Sequence, residues 1–153
     1  MNSKNTTAKI KLVLFDLDGV LIQENRGFTL EQILTSLKKF IKEICEKGVL
    51  FAIITGRQND DVTELVEQFN IHVINSSINK LSNAEKIIDS LRIDFSEVFF
   101  IGDDILDIPL LQRVGFSAAP QNARREVKRV VEKIIPAEDV EFLLNEIKSI
   151  VLQ

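Results

Sequence analysis

Four polar motifs stand in a fixed order along this chain: Asp16-Leu17-Asp18-Gly19, Thr55-Gly56-Arg57, Lys80, and Gly102-Asp103-Asp104 with Asp107 close behind. Asp16 and Asp18 lie two apart on a segment leaving an extended run, so their carboxylates project to one side and can flank a single reacting group. One can attack phosphorus while the other protonates the leaving oxygen and then activates water. Gly19 permits the tight turn that lets a substrate approach the backbone. Carboxylate oxygens are the donors Mg²⁺ prefers. Asp16 and Asp103 are therefore the expected metal pair, with Asp104 and Asp107 orienting the ligands from behind. Carboxylates gathered in this number repel one another unless a cation joins them. The Thr55 hydroxyl and the following Gly56 N–H are suited to grip a phosphoryl oxygen, whose charge a fixed ammonium at Lys80 would offset. Lys86 is the rival for that role, but it falls inside a helical pattern, whereas Lys80 stands at a helix entrance. Taken singly, each motif also has a plain structural reading: an Asp-Gly turn, a Thr cap, a solvated lysine.

The elements that must position these groups are legible as alternating strands and helices. Ile10–Phe15 is an apolar run ended by the first acidic motif, a buried strand entering a loop. Thr29 is placed to cap the next helix, with Gln32 at the capping-box position. Apolar residues keep helical spacing from Leu30 to Lys47, and Gly48 closes that helix. A strand over Val49–Ile54, a helix over Asp60–Phe69 and a short strand over Ile71–Ile74 follow. Helices are predicted over Ser82–Leu91, Ile105–Arg113, Asn122–Val131 and Glu138–Val151, the last capped near Pro136 or Ala137. Strands are predicted over Val98–Ile101 and Gly115–Ala118, while Val131–Ile135 reads as either a helix end or an edge strand. This alternation implies an α/β fold, a three-layer Rossmann-like parallel sheet with helices on both faces. Ligands of such sheets bind outside the carboxyl ends of the strands, where the motifs fall.

At 153 residues the chain is expected to form a single domain, with residues 1–8 as a polar leader. A 45% hydrophobic and 27% charged composition is that of a globular protein that builds a core without disulfides. A net charge of −4 argues against a nucleic-acid surface. No apolar run reaches the ~20 residues needed to cross a bilayer, and the polar start lacks a signal-peptide core, so a cytoplasmic address is expected. Cys45 is expected as a buried structural thiol, and His72, the only histidine, as a structural residue in an apolar strand. The basic run Arg124, Arg125, Lys128 and Arg129 reads as a solvated helix face.

The ordered set Asp-x-Asp-Gly-Val, Ile-Ile-Thr-Gly-Arg, Asn-Lys-Leu and Ile-Gly-Asp-Asp-x-x-Asp-x-Pro resembles the haloacid dehalogenase-like (HAD) phosphatase superfamily, over roughly Lys9 to Lys133. Within it the chain looks most like the small capless branch typified by 3-deoxy-D-manno-octulosonate 8-phosphate phosphatase. The resemblance implies Asp16 as nucleophile forming an aspartyl-phosphate, and Asp18 as general acid/base that also lends its backbone carbonyl to Mg²⁺. It further implies Thr55, Gly56 and Lys80 as phosphate ligands, Asp103 as a metal ligand, and Arg57 and Asn79 as substrate contacts. Two departures bear on specificity. The branch carries a β-hairpin that builds a tetramer, where this chain runs from Leu21 to Gly27 almost directly into a helix. The branch also has a Gly-rich C-terminal segment, which Ile135-Pro136-Ala137-Glu138-Asp139 lacks. The core chemistry survives both; a sugar-acid substrate and a tetramer do not follow.

The expected activity is Mg²⁺-dependent hydrolysis of a small phosphorylated sugar or sugar acid, with no nucleic-acid or membrane partner. A capless phosphatase of a macromolecular substrate and a non-catalytic interaction domain remain open. A receiver-type phosphoacceptor domain fits less well, because there the lysine follows the last carboxylates.

Overall fold

Six strands, Leu12–Phe15 (β1), Leu50–Ile54 (β2), Val73–Ile74 (β3), Val98–Ile101 (β4), Phe116–Pro120 (β5) and Lys133–Ile135 (β6), pair in the order β3-β2-β1-β4-β5-β6, all of them parallel. The computed structural model describes residues 9–23, 27–75, 77–136 and 139–153. The expected polar leader and the middle of the loop between Leu21 and Gly27 lie outside them. Each parallel pairing needs a crossover, and among the described residues five helices lie in the connections, Leu30–Cys45 (α1), Asp61–Gln68 (α2), Lys80–Leu91 (α3), Ile108–Arg113 (α4) and Arg125–Lys128 (α5), while a sixth, Val140–Val151 (α6), follows β6.

Every residue of β1 and β4 is buried, which is why these strands read as unbroken apolar runs rather than alternating ones. Successive side chains point to opposite faces. Val13, Phe15, Phe99 and Ile101 join Leu37 and Phe40 of α1 and Leu143 and Ile147 of α6. Leu12, Leu14, Val98 and Phe100 join Ala84 and Ile88 of α3 and Leu110 and Leu111 of α4. The result is the expected three-layer α/β sandwich. Among the described residues the connections carry no inserted cap domain.

The chain leaves β1 toward β2 and β3, then returns across β1 to β4, so the strand order reverses between β1 and β4. That switch point opens a crevice at the carboxyl ends of these two strands. Asp16 and Asp103 follow them closely, and the Asp16 N–H donates to the Ile101 carbonyl at 3.0 Å.

Several expected elements differ in extent. Thr29 and Gln32 form the capping box at α1, while α3 begins at Lys80, two residues before the apolar pattern, because Asn79 caps it. The helix expected over Ile105–Arg113 opens as a 3-10 turn over Ile105–Asp107, where the Asp104 carboxylate accepts from the Ile105 N–H. The helix expected over Asn122–Val131 shrinks to α5, because the Ala123 N–H turns back to the Pro120 carbonyl. Lys133–Ile135 resolves as an edge strand on β5. α6 is capped by Asp139, whose carboxylate accepts from the Glu141 N–H; Ala137 lies outside the described residues.

One expectation of burial fails, and one residue falls just outside its expected strand. Cys45 is exposed, because Ile44 takes the inward position of the last turn of α1 and its neighbour falls about 100° round the helix. His72 is exposed just before β3, between buried Ile71 and Val73, as two-residue alternation dictates.

Candidate active site

The apolar strands end where the first polar side chains begin, and the loop after β1 keeps alternating: Leu17, Val20 and Leu21 are buried while Asp16 and Asp18 face the crevice. Gly19 turns the chain with a φ of +84°, and a side chain there would collide with the Asp103 carboxylate. Its carbonyl accepts from Gln23 Nε2 and from Asn122 Nδ2, both at 3.0 Å. The end of β5 thus anchors the loop after β1. A Cβ on Gly102 would lie 2.6 Å from Asp107 Oδ2, so that glycine admits the Asp107 carboxylate beneath it.

A cleft of about 370 Å³ gathers Asp16, Asp18, Thr55, Gly56, Arg57, Lys80, Asp103, Asp104 and Asp107. These are the residues singled out in the sequence except Asn79, whose Oδ1 instead accepts from the Ser82 N–H at 3.1 Å as the cap of α3. Capping is what sets Lys80 at the first position of that helix. Lys86, the rival cation, is exposed on α3.

Two charge networks share the cleft. In the buried one, Lys80 Nζ donates to Asp16 Oδ1 at 2.9 Å and to Asp107 Oδ1 at 2.6 Å. Asp16 Oδ1 also accepts from the Leu17 N–H at 2.8 Å. Asp107 Oδ2 accepts from the N–H groups of Asp103 and Asp104, at 3.0 and 3.1 Å. Asp107 is thus a hub that fixes both the cation and the backbone of the last motif. In the open network, Arg57 forks onto Asp18, Nε to Oδ2 at 2.7 Å and Nη2 to Oδ1 at 2.8 Å. Its Nη1 donates to Asp60 Oδ2 at 3.0 Å, and Asp60 Oδ1 caps α2 through the Thr63 N–H. Arg57, the expected substrate contact, lines the cleft and clamps Asp18. Thr55 Oγ1 accepts from the Arg57 N–H at 3.1 Å, which leaves its own hydrogen to donate into the cleft.

Burial pushes the Asp16 carboxyl well above its ordinary range, and the neighbouring Asp107 charge adds to it, against the opposing pull of Lys80. Burial likewise raises Asp103, with Asp107 and Asp104 adding to it. Burial alone would depress the Lys80 ammonium, but Asp16 and Asp107 outweigh it and hold its pKa above the usual lysine value. Asp16, Asp103 and Asp107 bring oxygen atoms within 4.8 Å of one another. Three hard oxygen donors, two of them resisting ionisation chiefly because they are buried, fit a divalent cation such as Mg²⁺. Asp107 thereby joins the candidate ligands, where the sequence placed it behind them, whereas exposed Asp104 caps the 3-10 turn.

Sequence reasoning did not single out Ser77, Ile78 and Leu106, which complete the lining, or Asn122. Ser77 is buried, and its N–H donates to the Thr55 carbonyl at 2.9 Å. No local pattern marks these residues; only the strand order brings them to the crevice.

Comparison with known proteins bears on the family and the fold. A family model described as haloacid dehalogenase-like hydrolase matches residues 13–75 and 66–147. The 3-deoxy-D-manno-octulosonate 8-phosphate phosphatase of Salmonella typhi is 30% identical over 120 residues, 74% of this chain and 64% of that protein. The match thus spans less than two thirds of that relative's length. The structure of a probable YrbI family phosphatase from Pseudomonas syringae superposes with a TM-score of 0.78 at 29% identity, covering 96% of this chain and 87% of that one. The 3-deoxy-D-manno-octulosonate 8-phosphate phosphatase of Moraxella catarrhalis, solved with magnesium, phosphate and the sugar acid, superposes with a TM-score of 0.73 at 25% identity, covering 94% and 86%. No described helix is long and apolar enough to cross a membrane.

Proposed function

Since the chain belongs to the haloacid dehalogenase-like hydrolases, we propose that it is a Mg²⁺-dependent phosphomonoester hydrolase working through an Asp16 phosphoenzyme. The observation that carries this reading is the buried contact of Lys80 with Asp16, 64 positions apart in the chain, in one cleft with Asp18 and Asp103. Asp16 Oδ1 is held by Lys80 and the Leu17 N–H, so Oδ2 is the oxygen assigned to attack. The Oδ2–phosphorus bond forms as the bond to the leaving oxygen breaks, and protonated Asp18 gives that oxygen its proton. In the second half, Asp18 takes a proton from water, the water oxygen bonds to phosphorus, and the Asp16–phosphorus bond breaks.

Lys80 spends two of its three N–H donors on Asp16 and Asp107, leaving the third for a phosphoryl oxygen. The Thr55 hydroxyl and Gly56 N–H take others. Arg57 keeps Asp18 aimed at the cleft from an anchor on α2. Asp16, Asp103 and Asp107, with the Asp18 carbonyl, would hold the metal, which when bound neutralises charge on the transferring group. The substrate class is a small phosphorylated sugar or sugar acid, in keeping with relatives named for a phosphorylated sugar acid. We further read the chain as one hydrolase domain acting in the cytoplasm, without nucleic-acid or membrane partners.

The test is phosphate release from a panel of sugar, sugar-acid, nucleotide and aryl phosphates with Mg²⁺, with chelator, and with Asp16→Asn. Metal-dependent turnover lost in Asp16→Asn is expected. Turnover undiminished in that variant would overturn the assignment of the nucleophile.

A further inference from the structure

The carboxylates of the cleft are not held in place equally. The side chains of Asp16 and Asp107 are 7% and 1% exposed, so packing fixes them, whereas that of Asp18 is 48% exposed. The position of Asp18 therefore depends on the Arg57 fork and on its own backbone. An open, screened ion pair holds geometry only weakly. The backbone must supply the rest.

That backbone turns at Gly19. The Gly19 N–H donates to the Ile22 carbonyl at 2.8 Å, and its carbonyl accepts from Gln23 Nε2 and Asn122 Nδ2, each at 3.0 Å. The first two bonds are local to the turn. The third crosses 103 positions and fastens the turn to the segment after β5. That segment is itself well held: Ala123 is buried, its N–H returns to the Pro120 carbonyl at 3.0 Å, and the Arg124 N–H donates to the Asp103 carbonyl at 3.1 Å. One short stretch, 122–124, thus grips the first acidic motif by a side chain and the last by its main chain. The Asp103 carboxylate fills the space beside Gly19, so the turn cannot settle further inward.

Resting on the phosphatase reading, we infer that Asn122 is a positioning residue: its amide, through the Gly19 carbonyl, fixes Asp18 where that carboxyl hands a proton to the leaving oxygen. Asn122 acts on the backbone and not on the substrate. Its contribution is therefore largest for esters whose leaving oxygen most needs the proton.

The test compares kcat/KM for phenyl phosphate and 4-nitrophenyl phosphate, two esters of similar shape, at saturating Mg²⁺. 4-Nitrophenolate departs with little help, whereas phenolate is more basic and draws more on a general acid. Asn122→Ala should lower kcat/KM by about tenfold for phenyl phosphate and about twofold or less for 4-nitrophenyl phosphate, a loss within reach of a small misplacement. The isosteric Asn122→Asp, which keeps the size and loses the donor, should match or exceed that selective loss. Gln23→Ala removes the other side-chain donor from the same carbonyl without freeing the turn from β5, and should leave the ratio of the two esters near wild type. The inhibition constant of inorganic phosphate, bound at the floor, should hold in all three variants. No selective loss on phenyl phosphate in Asn122→Ala, or an equal selective loss in Gln23→Ala, overturns the inference and leaves the phosphatase reading standing. Absence of metal-dependent phosphate release from both esters by the wild-type protein overturns the two together.

Discussion

The cleft holds the same composition twice, a cation between two aspartates, in opposite surroundings. In Asp16–Lys80–Asp107 the side chains of cation and carboxylates are at most 8% exposed. In Asp18–Arg57–Asp60 they are 30–48% exposed. Coulombic attraction is strong in the first and screened in the second. The first also bears the desolvation of three charges. The buried network is therefore a fixed floor that positions Asp16, the proposed nucleophile, at the expense of stability. The open one is a clamp that water and substrate can exchange. An acid/base that must protonate and deprotonate within a cycle belongs on the open network, and an anchored nucleophile on the buried one.

The largest effect that would break this contrast is at Lys80. Lys80→Met leaves Asp16 and Asp107 buried without their cation, and removing one partner from a buried pair costs about 3–5 kcal/mol. Urea denaturation of the metal-free protein at neutral pH should show that loss, and Mg²⁺ or acidification should recover part of it. A loss below about 1 kcal/mol, the size of an exposed pair, would erase the distinction between the networks.

Asp16→Asn sharpens the contrast in the opposite direction. Turnover should fall by about 10⁴-fold or more, yet the metal-free fold should gain. The sign follows from the raised Asp16 carboxyl. A carboxyl whose folded pKa exceeds its unfolded value contributes stability that is full below the ordinary carboxylate range and lost as pH rises through the raised value. Above the ordinary carboxylate range the buried carboxyl therefore weighs on the metal-free protein, while Lys80 and Asp107 alone are balanced. Thermal melts should show Asp16→Asn several degrees higher, about 2–4 °C for each kcal/mol relieved. The difference should shrink when Mg²⁺ is added.

How much of this was legible in the sequence depended on distance along the chain. The unbroken apolar runs of β1 and β4, the Thr29 capping box and the acidic residues behind the strands are local signals, and they identified the fold and the groups that meet in the cleft. The Asp107 hub was not legible, because its value comes from Lys80, 27 positions away, and from a glycine that leaves room for it. The Arg57 clamp escaped for the same reason, since its partner Asp18 lies 39 positions away behind the neighbouring strand. Asn79 shows how a local rule competes with a functional one: its side chain was free to cap α3, and capping took it. Cys45 and Asn122 mark the remaining limits, one a helical phase error of a single residue, the other a long-range tie to the Gly19 carbonyl.

Divalent-cation affinity gives an intermediate effect with a definite sign. Burial raises both Asp16 and Asp103, so a cation must displace protons that ordinary carboxylates would already have lost. Calorimetry in buffers of differing ionisation enthalpy should detect proton release on Mg²⁺ binding. Affinity should weaken as pH falls through the range above ordinary carboxylates, by about tenfold per pH unit for each proton displaced. Affinity that is flat with pH and unaccompanied by proton release would mean the ion avoids the buried carboxylates.

The smallest effect belongs to the clamp. Arg57→Gln removes the fork on Asp18, an exposed pair worth about 0.2–1 kcal/mol after screening. Hydrogen bonding to Asp18 is the chief cause that raises its already high guanidinium pKa further, and the pair is exposed, so the loss falls on the geometry of Asp18 rather than on the fold. Stability should change within that range, and the change should fade as salt is raised. Catalysis should suffer more than stability, because Asp18 loses the bonds that aim it. A kcat reduction with a near-unchanged melting temperature would separate clamp from floor. A large, salt-insensitive destabilisation would instead place Arg57 with Lys80, and the two networks would then differ in exposure but not in kind.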